Sequence, residues 1–406
     1  MNPFKLSWKN LWSKPLNATL NILLITFGTC ILTVLLLASN QIEQKLENNS
    51  KDIDLVVGAK GSPLQLILSS IYYIDFPTGN IPLKEANELA RNPFVKRAVP
   101  LALGDNYNGI RIVGTDTNYI GLYKLKIKEG KFWQQDMDAT IGATVAKEQN
   151  LKVGDTFYGG HGLTEMSDQH KEHAYKVVGI LAPQRNVTDH LILTNVASIW
   201  HMHDDGEAHA HEGHNHTDFK NEQETEGKEI TSLLIQYRSP MSVAMFPRMV
   251  NQMTSLQSAS PAMESTRLFS LIGVGVDTLQ WFAVLIMLVA GISVFVNLYN
   301  SLKERTYDLA VMRTLGASRL KLFIIIILEG LILTVIGSLI GLAVGHGILQ
   351  VIGAYQESSQ ARLTGLIFLP QEVYLLLIGL AIGIFAAIIP AIQAYRSNIS
   401  KILAKN

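Results

Sequence analysis

The sequence predicts an α-helical membrane protein with four transmembrane helices and a large extracytoplasmic α+β domain inserted between helices 1 and 2. Three observations carry this. Four apolar runs lie at 20–38, 279–299, 322–345 and 373–389, each near the ~20 residues needed to cross the bilayer's hydrocarbon core. A long stretch of mixed helix-like and strand-like pattern separates the first run from the second. Lysine and arginine crowd the flanks on one side only.

The charges themselves say little. With 34 basic and 34 acidic residues among 406, the formal net charge is zero, but a membrane protein sorts its charges by compartment. Cys30 is the one cysteine and lies inside the first run, so no intrachain disulfide holds the inserted domain. The first run is too long for a signal-peptide core and no A-x-A-like site follows it, so it reads as a retained anchor.

The segments follow in order. Residues 1–15 predict a cytoplasmic amphipathic helix, with Phe4, Trp8, Leu11 and Trp12 on one face and Lys5, Lys9 and Lys14 off it, suited to a membrane surface and its lipid headgroups. The first span is 16–39. The extracytoplasmic domain is 40–276, with strands at 110–113, 175–180, 191–193 and 232–236, helices at 83–92 and 143–150, and helical stalks at both ends. One lobe or two are both compatible with the pattern. The second span is 277–300, a cytoplasmic segment 301–321, the third span 322–346, a short outer loop 347–372, the fourth span 373–390, and a cytoplasmic tail 391–406. Lys303, Arg305, Arg313, Arg319 and Lys321 fill the second-to-third connection, and Arg396, Lys401 and Lys405 follow the fourth span. The positive-inside rule then puts both termini and that connection in the cytoplasm.

The most informative stretch is 304–317, E-R-T-Y-D-L-A-V-M-R-T-L-G-A. Its charges alternate with Leu309, Val311, Met312 and Leu315, as in a short amphipathic helix under the membrane, and Gly316 is placed to stop it. This stretch, Glu329 early in the next span, Pro390-Ala391, Ala394 and the 398–403 tail resemble the cytoplasmic signature of the MacB/LolC/FtsX-like permeases of ABC-type machines. Gly154-Asp155-Thr156-Phe157 and Val177-Val178-Gly179-Ile180 resemble the outer core domain of MacB-type relatives. The resemblance implies a multi-pass permease of the bacterial inner membrane that dimerises with a copy or a paralogue. It also implies a separate cytoplasmic ATPase dimer that binds the ATP and drives motion of the outer domain. Glu304, Arg305, Asp308, Arg313 and Gly316 become the expected coupling residues. No G-x-x-x-x-G-K-[ST] occurs, and Gly58-Ala59-Lys60-Gly61-Ser62 has the wrong spacing for one, so ATP hydrolysis is expected elsewhere. The chain reads as a non-enzymatic subunit, with no nucleic-acid partner.

Gly337, Gly341 and Gly345 recur every four residues, as do Gly379, Gly383 and Ala387, the pattern of closely packed membrane helices. Glu329 and His346 read as structural hydrogen-bonding groups within the third span. Residues 201–216 hold six of the 11 histidines: His201, His203, His209, His211, His214 and His216. With the carboxylates among them, these imidazoles suit Zn²⁺ or a similar divalent ion in several exchanging sets, not one fixed four-ligand site. No G-x-S-x-G or H-E-x-x-H motif appears. Three functions remain open: export or extraction of an amphiphile, peptide or lipoprotein; FtsX-like mechanical activation of an outer partner without transport; and metal handling through the histidine-rich run.

Overall fold

The structure, a computed structural model, describes residues 2–161, 169–203, 227–355 and 363–396. It divides into two compact units, Met1–Ile42 with Ile272–Asn406, and Glu43–Leu271. The chain starts with α1 (Pro3–Leu11) and α2 (Pro15–Ser50). Asn2 caps α1, its side chain accepting from the Phe4 N–H at 3.1 Å.

The second unit continues with β1 (Leu55–Gly58), α3 (Pro63–Ser70), β2 (Ile81–Pro82), α4 (Leu83–Ala90), β3 (Val95–Tyr107), β4 (Ile110–Thr115), α5 (Asn118–Tyr123), β5 (Ile127–Gly130), β6 (Asp138–Ile141) and α6 (Ala143–Glu148). Then come β7 (Thr156–His161), β8 (Gln169–Leu181), a 3₁₀ turn (Val187–His190), β9 (Ile192–Asn195), α7 (Val196–His203), β10 (Glu229–Ile230), β11 (Ser232–Tyr237), α8 (Pro240–Met253) and β12 (Gln257–Ala259). Ten strands form one mixed sheet in the order β12-β1-β11-β3-β4-β9-β6-β8-β5, with β7 bonded to both β3 and β8. The β4–β9 and β6–β8 pairs are parallel. Because β7 joins β3 to β8, six strands (β3, β4, β9, β6, β8, β7) close into a circuit. Phe157 stacks on Tyr175, with centroids 5.4 Å apart, and meets Tyr107 at a tilt, with centroids 4.8 Å apart. Burial raises the Tyr175 phenol above its ordinary value, and the neighbouring Asp105 adds to the shift.

Two apolar cores cover the two faces of this sheet. One gathers Leu55, Ile112, Phe157, Tyr175, Ile192 and Phe246. The other gathers Val56, Leu101, Val113, Tyr119, Leu193 and Leu234. Adjacent strand residues point to opposite faces, which is why Leu55 and Val56, or Ile112 and Val113, divide between the cores. One sheet running through both cores makes this a single lobe. The four strands expected from the sequence are present as β4, β8, β9 and β11, and the two helices as α4 and α6.

The remaining helices are α9 (Pro261–Glu304), α10 (Thr306–Thr314), α11 (Arg319–Tyr355) and α12 (Glu372–Arg396). Helices α2, α9, α11 and α12 are each long and apolar enough to cross a membrane. All four outrun their apolar runs: α2 continues to Ser50, α9 begins at Pro261, α11 continues to Tyr355 and α12 continues to Arg396. Hydropathy marks where lipid ends, whereas a helix ends where its backbone is capped.

Glycines set how closely these helices approach. A Cβ at Gly337, Gly341 or Gly345 would stand 2.8, 2.7 or 2.8 Å from the Cβ of Ile25, Thr29 or Thr33 of α2. On another side of α11, a Cβ at Gly379 would clash with the Ser338 hydroxyl, and one at Gly383 with the Thr334 hydroxyl. The two glycine rows therefore lie at two seams within one chain, α11 against α2 and α12 against α11. Gly28 makes a third, where a Cβ would come against Met287 of α9.

Candidate coupling site

Helix α9 breaks at Arg305, and α10 starts one residue later. Leu309 and Ala310 of α10 are buried, and Leu309 packs with Leu302, Leu322, Ile325, Ile326 and Ala394. The opposite side is open: Tyr307 is 50% and Leu315 81% exposed, and Asp308 and Gly316 are exposed too. Gly316 ends the helix at φ +94°, a conformation in which a Cβ would be strained. Its N–H bonds to the Arg313 carbonyl at 3.1 Å and that of Ala317 to the Met312 carbonyl at 3.0 Å. These two bonds are a Schellman turn. It presents Leu315 and Gly316 at a tight corner before Ser318 caps α11 through the Lys321 N–H at 3.3 Å.

Arg305 is turned inward. Its Nη2 donates to the Asn10 carbonyl at 2.7 Å and to Ser13 Oγ at 2.6 Å, and its Nη1 lies 3.7 Å from Glu329 Oε1. The same carboxylate oxygen accepts from Asn10 Nδ2 at 2.7 Å. Ser7 Oγ donates to the Ile325 carbonyl at 3.0 Å, and Lys14 pairs with Glu304. Helix α1 is thus fastened to both the α9 end and α11, and Glu329, buried in its span, is satisfied by a cation and an amide, as a carboxylate at that depth requires. Sequence reading missed Ser7, Asn10 and Ser13, whose polar side chains gave no signal beyond a helix end.

The amphipathic face of α1 also differs from expectation. Leu11 is buried with Ser7 against α11, while Phe4, Trp8 and Trp12 stay 55, 43 and 51% exposed. The helix has two apolar contacts to serve, protein on one side and the aromatic row on another. Between α1, α10 and the start of α11 lies a groove of about 190 Å³, lined by Leu6, Met312, Leu315, Gly316, Lys321 and Ile325.

His346, also on α11, is held at both ring nitrogens: Nδ1 lies 2.6 Å from the Gly365 carbonyl and Nε2 3.1 Å from Glu372 Oε2. Of the histidine-rich run, His201 is exposed on α7 with Nδ1 3.4 Å from Asp136 Oδ2. The side chain of His203, and His209, His211, His214 and His216, lie outside the described residues. Among the described residues no group of three or more histidines, cysteines or carboxylates is arranged to hold a metal.

Comparison with known proteins follows these landmarks. A model of the MacB-like periplasmic core domain matches residues 18–252, more than half the chain, and one of the FtsX-like permease C-terminal region matches 281–399. The chain belongs to the MacB/FtsX family of ABC transporter permeases. The two matches of this MacB/FtsX permease divide near the boundary between the mixed-sheet unit and the later membrane helices. It is 32% identical over 108 residues to an uncharacterized ABC transporter permease, YknZ, of Bacillus subtilis (strain 168). That match covers 27% of this chain and 26% of the relative, so it spans about a quarter of each. Solved structures similar to it include the periplasmic region of MacB from Actinobacillus actinomycetemcomitans, at 11% identity over 55% of this chain and 98% of that one, TM-score 0.34. Another is the extracellular domain of the noncanonic ABC-type transporter YknZ from Gram-positive bacteria, at 13% identity over 51% and 99%, TM-score 0.31.

Proposed function

We propose that this permease is the subunit of an ABC-type export or extraction machine that carries ATP-driven motion of a separate cytoplasmic ATPase to its mixed-sheet domain. The domain would lie outside the cytoplasm and act on an amphiphile, peptide or lipoprotein. The observation behind the reading is the geometry of α10: a short helix anchored by Leu309 and Ala310, joined at both ends to long membrane helices, with Tyr307, Asp308, Leu315 and Gly316 left open. A push on that face reaches α9 across one hinge residue and α11 across one turn. The ATPase would seat on it, with Leu315 as an apolar anchor and the groove beside it as a socket.

The test uses the chain co-purified with its cognate ATPase. Leu315→Asp, at an exposed side chain, should reduce complex formation or ATPase stimulation at least about tenfold, the equivalent of ~1.4 kcal/mol, without changing the thermal unfolding of the permease. Unchanged assembly and turnover would reject α10 as the docking face.

A second proposal rests on the His201–Asp136 contact, which puts a carboxylate at the entry to the histidine-rich run. The run would bind Zn²⁺ or a similar divalent ion through exchanging sets drawn from His201, His203, His209, His211, His214 and His216. Calorimetric titration with Zn²⁺ should show heat that disappears on deleting residues 204–226; heat of the same size after deletion would move the binding elsewhere.

A further inference from the structure

Helix α8 sets Met241, Met245, Met249 and Met253 four residues apart. The whole chain has 11 methionines in 406 residues, so four in one register of a 14-residue helix is a local concentration that composition does not produce. The helix buries Ser242, Phe246 and Val250, each one position after a methionine. The ladder therefore runs beside the buried face, not within it. Met241, Met245 and Met253 are 67, 51 and 79% exposed, and Met249 is half-buried with Asn92 Nδ2 3.7 Å from its sulfur. Met249 packs against the core, but Met241, Met245 and Met253 are not filling core gaps, the ordinary use of methionine.

Residues four apart on a helix are surface neighbours, with Cβ atoms about 5–6 Å apart. A methionine side chain is unbranched and flexible, so two successive sulfurs can close on one ion from either side. The thioether is a neutral, soft donor with no proton to lose, and soft sulfur ligands select Cu(I)-class ions. Helix α8 contains no aspartate, glutamate, histidine or cysteine, and Arg248 is its one charged residue. A hard or borderline divalent ion finds no ligand set on this helix.

We propose that the α8 methionine ladder is a binding site for a soft monovalent cation, Cu(I) or its redox-inert analogue Ag(I), held between successive thioethers. The site is distinct from the histidine-rich run in ligand chemistry and does not depend on the ATPase reading. Binding adds no redox step: the ion arrives and leaves in its monovalent state.

The experiment titrates the full chain in detergent with Ag(I) on a background lacking residues 204–226, which removes four of the histidines in the run. Leucine replaces methionine at all four positions in one variant and at Met241 and Met245 only in another. Leucine keeps volume, apolarity and helix propensity, so an apolar docking face would survive the change while the sulfur ligands would not. The expected result is Ag(I) bound by the parent with sulfur neighbours in X-ray absorption, at least about tenfold weaker affinity (~1.4 kcal/mol) in the fourfold variant, and an unchanged thermal midpoint. The double variant should weaken binding to an intermediate degree. Equal Ag(I) affinity in the parent and the fourfold variant, displacement by Zn²⁺, or no binding by the parent would each overturn the proposal.

Discussion

A Cβ at Gly341 would stand 2.7 Å from the Thr29 Cβ and 2.9 Å from the Thr26 carbonyl oxygen, both on the backbone-proximal part of α2. Neither neighbour is a flexible tip, so relief requires the two helices to part. Gly341→Leu should therefore destabilise the helical unit by about 1–3 kcal/mol, the usual range for overpacking a tight core. Gly347, with nothing within 4 Å of its would-be Cβ, is the control: Gly347→Leu should leave the thermal midpoint in detergent unchanged. Asp116 in the mixed-sheet unit supplies a prediction of another kind. Burial pushes its carboxyl up to about 6, against hydrogen bonds from Asn118 that pull it down. A raised carboxyl means the folded state takes up this proton before the unfolded state does. Its contribution to stability is thus unfavourable above pH ~6 and relaxes as pH falls toward the ordinary carboxyl value near ~4. In Asp116→Asn that dependence is gone. The difference in thermal midpoint between variant and parent should shift in the parent's favour from pH 7.5 to pH 5, and a difference constant across that interval would show that Asp116 does not titrate there.

At the scale of elements, α1 is held by contacts that span the chain. Arg305 reaches the Asn10 carbonyl and Ser13, while Asn10 and Arg305 share Glu329. Arg305→Ala removes two donors to α1 and the cation near a buried carboxylate, where charged hydrogen bonds are worth about 1.5–3 kcal/mol each. Trypsin cleavage at Lys5 and Lys9 should rise in this variant. Arg305→Lys should not restore protection, because an ammonium lacks the planar fork that meets Asn10 and Glu329 together. Protection equal to the parent in both variants would mean that α1 is held without Arg305, by Leu11, Ser7, the Asn10–Glu329 bond and the Lys14–Glu304 pair. Little of this latch was legible in the sequence. Asn10 and Glu329 are 319 residues apart, and Arg305 and Asn10 are 295, and no periodic pattern links positions so distant. The four spans and the α10 turn were legible because apolar runs and a positive-φ glycine are local signals. Strand β3 was not: Val95–Tyr107 contains Pro100, Gly104, Asp105 and Asn106, residues disfavoured in strands, and its burial does not alternate because both faces of the sheet are covered. Tertiary pairing with β11, β4 and β7 makes it a strand regardless. Sequence likewise placed Leu11 with the tryptophans, since a helical wheel cannot say which of two apolar neighbours a side chain meets.

For the whole molecule the decisive question is which side of the membrane each connection occupies. Lys14, Lys303, Arg305, Arg313, Arg319, Lys321 and Arg396 lie at one set of helix ends, and the basic excess of short connections faces the cytoplasm. If all four candidate helices cross, the rule predicts that α1, α10 and the end of α12 face the cytoplasm and the mixed-sheet unit does not. Two single cysteines test this. Lys152→Cys places a thiol on an exposed turn before β7, and Thr314→Cys places one at the exposed end of α10. The native Cys30 is buried and its thiol is a weak background. A membrane-impermeant maleimide applied to intact spheroplasts should label Lys152→Cys at once and Thr314→Cys only after permeabilisation. The reverse pattern would put α10 where no ATP is available, and the coupling proposal would fall with the orientation. Labelling of both before permeabilisation would require an even number of crossings between them, which means that α9, the one candidate span between the two sites, does not cross. The reagent therefore tests whether α9 crosses and in which direction.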